Sequence, residues 1–182
     1  ARRASARLRA SQPHHRAAPI TTLAHEAPSL ATPTVYMTDA PRAGRPRGAR
    51  FGSLVHLGLA LCPHDAEVPV IEQVLRRQAR LLLASEEEIV AAVTAVARAF
   101  AHELLVGAHQ SPDCRREAPL SVQLDDGRIA EGIADLVFLD PNDDAYVVVD
   151  YKTDASEEGF GVYVAQLALY VRAVAAATGK AA

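Results

Sequence analysis

The spacing of apolar residues separates an unpatterned start of the chain from a patterned remainder. Residues 1–50 mix Ala, Arg, Pro, Ser and Thr with no period of 3.6 or 2.0, which predicts a basic, largely disordered linker. Within it, only the run Thr34–Met37 has the composition of a short strand. From residue 51 onward the apolar positions recur regularly. We therefore predict a linker over 1–50 and one folded domain over 51–182.

The first part of this domain has the spacing of α-helices. Apolar residues predict helices over 52–61, ended by Pro63, and over 68–83. Ser85 and Glu88 have the spacing of a capping box that opens a third helix. The apolar positions of that helix lie three and four residues apart: Ile89, Val93, Val96, Phe100 and Leu104.

The period then changes from helical spacing to the alternation of strands. Alternation and short apolar runs predict strands over 116–124, 129–139 and 146–149. Turn signals separate them, Asp125–Gly127 first and Pro141–Asp144 second. A last amphipathic helix is predicted over 162–177. Helices, a three-strand antiparallel meander and a closing helix predict an α/β domain.

Charge supports the same division of the chain. The net charge of −3 over 182 residues is an average of two unlike parts. Residues 1–50 hold nine arginines and two acidic residues, a net charge of +7, whereas 51–182 hold ten basic and twenty acidic residues, a net charge of −10. The basic start is typical of a tether that contacts a nucleic-acid backbone.

Composition excludes several classes of protein. Two cysteines are too few for a disulfide framework, a four-cysteine zinc site or an iron–sulfur cluster. We found no apolar run near the roughly 18–20 residues of a membrane span, and no secretory signal. These features favour a cytoplasmic protein without a membrane partner. The basic start without an initiator Met indicates a linker or the edge of a larger chain.

Candidate chemistry begins where the third predicted strand ends. Asp150 and Lys152 lie two residues apart and so share one face of an extended segment. A carboxylate binds a hard divalent cation, and an ammonium beside it steers or deprotonates a nucleophile, or stabilises charge on a phosphate. Alone, this spacing is more often a surface ion pair.

Asp135 strengthens this interpretation, because it is an acid within an otherwise apolar strand. A turn centred near 142–143 makes strands two and three antiparallel neighbours, which pairs residue 135 with about residue 150. Two carboxylates side by side repel each other unless a cation joins them. Glu117 opens the first strand, where a solvated strand end is an equal alternative.

Five short motifs also stand in a fixed order. They are Gly52-X-X-X-His56, Arg116-Glu117-X-Pro119, Gly132-X-X-Asp135, Asp150-Tyr151-Lys152-Thr153 and Gln166-X-X-X-Tyr170. This order resembles the RecB/AddA-type nuclease domain of the PD-(D/E)XK, restriction-endonuclease-like superfamily, which lies at the C-terminus of UvrD-like helicases. The resemblance covers about residues 50–178 and implies a restriction-endonuclease-like core.

The resemblance also implies an activity, a cofactor and partners. It implies a Mg²⁺-dependent deoxyribonuclease, an exonuclease on single-stranded DNA, that acts in double-strand-break repair and recombination. Mn²⁺ is expected to substitute for Mg²⁺. DNA and a UvrD-like helicase portion, in the same chain or complex, are the expected partners. Relatives with an iron–sulfur cluster need four cysteines, so this chain belongs with those that lack it.

Site roles follow residue by residue from the same resemblance. Asp135, Asp150 and His56 would bind the metal, Lys152 would be the catalytic lysine, and Glu117 would support this catalytic set. Gln166 and Tyr170, four residues apart on one helix face, would approach DNA and position the site, and Tyr163 shares that face. Simple packing is an equal alternative for both tyrosines.

Two departures and two alternatives remain open. The family has a last core strand after the final helix, which leaves that strand here truncated or lost. The sequence lacks Gly-X4-Gly-Lys-Ser/Thr and so contains no motor motif of its own. One alternative is a catalytically inactive nuclease fold that binds DNA or a partner. The weaker one is a zinc hydrolase using His102 and His109, although no His-Glu-X-X-His motif occurs.

Overall fold

A computed structural model describes residues 16–26, 32–153 and 159–182. The remainder of the predicted linker, 1–15 and 27–31, lies outside the described residues. The helices are α1 (Ile20–Ala24), α2 (Ala49–Leu61), α3 (Val68–Leu82), α4 (Glu86–Phe100), α5 (Glu103–Gln110) and α6 (Phe160–Thr178). The strands are β1 (Ala17–Pro19), β2 (Cys114–Gln123), β3 (Ile129–Asp140) and β4 (Ala145–Val149).

The sheet is built around β3. β2 pairs antiparallel with one edge of β3 over most of its length. The other edge is shared by β1, which runs parallel to residues 129–131, and β4, which runs antiparallel to residues 136–140. The predicted α/β class and the three-strand meander β2–β3–β4 are confirmed. This mixed open sheet with its helices agrees with a restriction-endonuclease-like fold.

Two apolar clusters lie on opposite faces of the sheet. The bundle core joins α2, α3, α4 and α5 to the sheet, with Leu54, Leu75, Val96 and Leu136 among its buried residues. The rear core joins α1 and α6 to the sheet, with Ile20, Ala134, Val137 and Tyr170 among its buried residues. The helices α2 to α5 therefore pack on one face of the sheet, and α1 and α6 pack on the other face.

The strands β2 and β3 change face at one position. Ala134 packs in the rear core, whereas Leu136, two residues on, packs in the bundle core. Residues two apart on a regular strand share a face, so the alternation slips by one residue at Asp135. Opposite Asp135, Glu117 has a φ of 49°, a left-handed conformation that residues other than glycine rarely adopt. The β2–β3 ladder pairs the residues on either side and omits this pair.

Order in the structure extends into the predicted linker. Ile20 and Leu23 of α1 are buried against α6 and the sheet, and β1 pairs with β3. These two elements hold eight residues, too few to repeat a helical or strand period, which is why apolar spacing did not predict them. Residues 34–37 form no strand. The domain boundary at residue 51 stays a prediction.

The last helix is longer and more apolar than any segment expected from the sequence. By length and composition alone, α6 is long and apolar enough to cross a membrane. In the fold, however, it packs against α1 and the sheet and buries Tyr170, Ala173 and Val174. Beyond α6, the described residues form no further strand up to residue 182. The Tyr146 N–H of β4 donates to the Ala181 carbonyl, 2.8 Å away.

Candidate active site

Asp135 lies at the point where β3 changes face, and both of its carboxylate oxygens are bound. Oδ1 lies 3.2 Å from Nδ1 of His56, and Oδ2 accepts a 2.7 Å hydrogen bond from the Tyr151 N–H. The side chain is 12% exposed. Donors from α2 and from the segment after β4 therefore hold this carboxylate, which satisfies the requirement for a partner at an acid in an apolar strand.

Asp150 follows β4 directly and continues its register with β3. Leu136 pairs with Val149, so the next position places Asp150 opposite Asp135, as the turn at 141–144 predicted. Its side chain is also 12% exposed and forms an ion pair with Lys152. Burial raises the pKa of the Asp150 carboxyl, the Asp135 carboxylate adds to this rise, and Lys152 opposes it. The two acids therefore interact electrostatically at the end of the meander.

Lys152 is held between an acid and an aromatic ring. Besides its ion pair with Asp150, its Nζ lies 4.5 Å from the ring centroid of Tyr163 on α6. A cation over an aromatic face is attracted by the ring quadrupole. Asp150 and Lys152 thus lie together although the strand ends at Val149, and Tyr163 packs against the ammonium.

His56 projects from α2 toward the same carboxylates. Its hydrogen bond with Asp135 raises the pKa of the imidazole, and partial burial opposes this rise. With the Nδ1–H donating to Asp135, the neutral ring carries its lone pair at Nε2, which is a common metal ligand. The His56 ring also meets Tyr151 edge to face, with 6.0 Å between centroids.

Glu117 lies at the rim of the site. Glu117 as a whole residue is exposed. Partial burial of its carboxyl group raises the pKa of that group, repulsion from Asp135 adds to this rise, and His56 opposes it. Its left-handed backbone places it where the ladder with β3 is interrupted. The structure therefore brings Glu117 within electrostatic reach of Asp135 and His56, while its role stays a prediction.

Gln166 and Tyr170 lie on α6, which packs on the rear face of the sheet. Nε2 of Gln166 donates to the Tyr170 hydroxyl at 3.0 Å, and Tyr170 is only 2% exposed. Tyr170 packs so closely on Gly132 that a Cβ there would meet its Cε1 at 2.9 Å. Burial raises the pKa of the Tyr170 hydroxyl, and the carboxylates of Asp150 and Asp135 contribute. Tyr170 is thus a core residue that reaches the rear of the site.

Two of the three candidate metal ligands are of the type that a hard divalent cation prefers. Carboxylate oxygens bind such ions, whereas an imidazole more often binds transition-metal ions. Among the described residues, however, no group of three or more His, Cys, Asp or Glu side chains is arranged to hold a metal ion. Asp135 is bound to His56 and Asp150 to Lys152, so metal binding requires these side chains to exchange partners.

Sequence reasoning missed one wall of the site. A cavity of about 600 Å³ is lined by His56, Tyr151, Lys152 and Thr153, and also by Arg42, Arg45 and Arg47. The three arginines belong to the predicted linker, and their spacing has no strand or helix period. The concentration of arginines in residues 42–50 was the available signal, but charge alone did not indicate that the segment packs beside the catalytic candidates.

Comparison with known protein families gives a match over most of the chain. No curated protein sequence matches the chain significantly. A family match over residues 34–182 covers well over half of the chain and includes every candidate site residue from His56 to Tyr170. This match begins within the predicted linker, as does the order in the structure. The chain belongs to the PD-(D/E)XK nuclease superfamily, whose members are metal-dependent nucleases.

Proposed function

We propose that this chain hydrolyses phosphodiester bonds of DNA with Mg²⁺ held by Asp135, Asp150 and His56, and with Lys152 as its catalytic lysine. The observation that carries the proposal is the juxtaposition of two nearly buried carboxylates with an ammonium on one of them. Ion pairs that serve structure alone do not require a second acid to face the first. Here Asp135 and Asp150 repel each other, which a divalent cation relieves.

Each residue has a distinct task in this proposal. The Tyr151 N–H holds Oδ2 of Asp135, so that this carboxylate is oriented before substrate binds, and His56 would exchange its hydrogen bond to Asp135 for the metal. The bound metal would polarise the phosphate and lower the pKa of a water molecule that attacks it. Lys152 supplies a positive charge and a proton at Nζ, next to the carboxylates, where negative charge develops on the phosphate. Gln166, through Tyr170, supports the rear of the site.

The finer part of the proposal concerns the kind of nuclease. We infer a RecB/AddA-type exonuclease on single-stranded DNA that works with a UvrD-like helicase in cytoplasmic repair and recombination. What supports this inference is the order of the five sequence motifs, from Gly52 to Tyr170. A basic segment that precedes the domain agrees with a tether.

Cleavage of end-labelled single-stranded DNA tests the proposal. The full chain is incubated with DNA in Mg²⁺ or in EDTA, with labelled RNA and duplex DNA as competing substrates. Lys152→Ala and Asp150→Asn should each reduce Mg²⁺-dependent cleavage about 100-fold or more. Lys180→Ala and Asp144→Asn are matched controls, because Lys180 and Asp144 form another lysine–aspartate pair, at the surface. Both controls should cleave normally.

The outcomes separate the proposal from its main alternative. Cleavage that is undiminished in both Lys152→Ala and Asp150→Asn overturns the assignment of the site. A wild-type chain that binds DNA without cleaving it under any divalent metal indicates an inactive nuclease fold instead. RNA cleavage in preference to DNA overturns the choice of substrate while leaving the site assignment in place.

A further inference from the structure

Three arginines line the wall of the cavity that faces the candidate active site. Arg42, Arg45 and Arg47 share this cavity with His56 and Lys152. The segment that carries them is neither helix nor strand, yet it is attached to the domain. The Arg45 guanidinium donates to the Thr153 carbonyl and lies over the ring of the buried Phe51, 5.5 Å from the centroid. Arg45, the middle residue of this wall, is therefore held next to Thr153, the residue that follows Lys152.

The positive charge of this wall is not neutralised by any carboxylate that the structure describes. Ion pairs join Arg50 to Glu88, Arg76 to Glu86 and Arg98 to Asp39. No ion pair of Arg42, Arg45 or Arg47 with a carboxylate occurs within residues 16–26, 32–153 and 159–182. Partial burial lowers the pKa of Arg45, and repulsion from Arg42 and Arg47 lowers it further, so the three guanidinium groups act on one another.

We propose that Arg42, Arg45 and Arg47 bind consecutive backbone phosphates of one nucleic-acid strand and deliver it to Asp135, Asp150 and Lys152. Guanidinium groups match phosphate oxygens in geometry and charge, and phosphates supply the anions that this wall lacks. The cavity of about 600 Å³ lies within the size range of ligand-binding pockets. This inference rests on the proposed nuclease function.

Salt dependence of binding tests the wall without requiring cleavage. Fluorescence anisotropy measures the affinity of the full chain for labelled oligothymidylate in EDTA, over a series of salt concentrations. Arg42→Gln/Arg45→Gln/Arg47→Gln should weaken binding about tenfold or more. Each phosphate contact on a single strand contributes about 0.7 to the magnitude of the negative slope of log K against log salt. The magnitude of this slope should therefore decrease by about 2.

Two further variants control for net charge and for folding. Arg16→Gln/Arg77→Gln/Arg80→Gln removes the same charge from exposed positions outside the cavity and should leave the slope within about 0.5 of wild type. Arg42→Gln/Arg47→Gln keeps the Arg45 contact with Thr153 and should lower the slope by about 1.4. Equal weakening by both triple variants overturns the proposal, since it means that only net charge matters.

The chain's own acids are the competing occupant. Asp154, Glu157 and Glu158 follow Thr153 in the sequence and lie outside the described residues. If the arginine variants change the slope only after these acids are replaced by Asn and Gln, the wall binds its own chain and the proposal is wrong. If the Arg42→Gln/Arg45→Gln/Arg47→Gln variant cleaves normally and its salt slope equals that of wild type, this inference alone is overturned. Arginine-dependent binding without any cleavage overturns the proposed function instead.

Discussion

Gly58 allows the helix that carries His56 to pack closely on its neighbours. It lies in α2, two residues after His56, and a Cβ added to it would lie 2.6 Å from Cγ2 of Val96 and 3.0 Å from Cδ2 of Leu75. Val96 and Leu75 are fully buried, so neither side chain has open space into which it can move. Gly58→Ala should therefore force α2 away from α3 and α4.

The size of this effect follows from two opposing contributions. Alanine favours a helix interior over glycine by about 1 kcal/mol. Overpacking a closed core costs about 1–3 kcal/mol, and contact at 2.6 Å corresponds to the upper part of that range. The net loss in the free energy of unfolding should be about 1–2 kcal/mol. For a chain of this length, this loss lowers the melting temperature by about 2–8 °C.

Thermal unfolding followed by circular dichroism measures this loss, and Gly107→Ala is its control. Gly107 is also helical, but no atom beyond its chain neighbours and the backbone of its own helix lies within 4 Å of its added Cβ, so its replacement should stabilise the chain by about 0.5–1 kcal/mol. Adding Val96→Ala should relieve the contact, with a coupling of about 1 kcal/mol or more. The packing argument fails if Gly58→Ala stabilises the chain as much as Gly107→Ala does.

Three further changes test the capping box, the rear of the site and its charge. Ser85→Ala removes the acceptor of the Glu88 N–H and should lower the free energy of unfolding by about 1 kcal/mol, measured by urea titration. A loss below about 0.3 kcal/mol contradicts the capping role. Gly132→Ala, with its Cβ 2.9 Å from Tyr170, should lose about 1–3 kcal/mol and some cleavage activity, and an unchanged melting temperature contradicts that packing. Asp150→Asn should raise stability at neutral pH without metal. The pKa of Asp150 is raised in the folded chain, so the folded state binds more protons than the unfolded state and stability falls as pH rises between the two pKa values. The advantage of Asp150→Asn should vanish below the pKa of the unfolded carboxyl, and an advantage that is equal at all pH values contradicts this origin.

Local pattern was sufficient for most of the fold. The capping box at Ser85 and Glu88 forms both of its hydrogen bonds, because it depends on four neighbouring residues alone. The turn at 141–144 fixed the register that places Asp150 opposite Asp135, because a hairpin register follows from the position of its turn. In both cases the determining residues are close in sequence.

Long-range features were not predictable in the same way. The change of face at Asp135 and Glu117 leaves no mark in the sequence of β2. The apolar residues that follow Glu117, namely Ala118, Leu120 and Val122, alternate as in a regular strand. The docking of β1 beside β3 joins segments more than 100 residues apart, and its three residues carry no period. The contact of Arg45 with Thr153 is of the same kind.

Binding of a divalent metal to the two facing carboxylates is the most direct test of the central claim. Mn²⁺ titration of the full chain, followed by electron paramagnetic resonance, measures it independently of cleavage. The wild-type chain and the Asp144→Asn control should bind one Mn²⁺ with equal affinity. Asp135→Asn and Asp150→Asn should each lower that affinity by about tenfold or more. Equal Mn²⁺ affinity in all four proteins would contradict the assignment of Asp135 and Asp150 as the metal ligands.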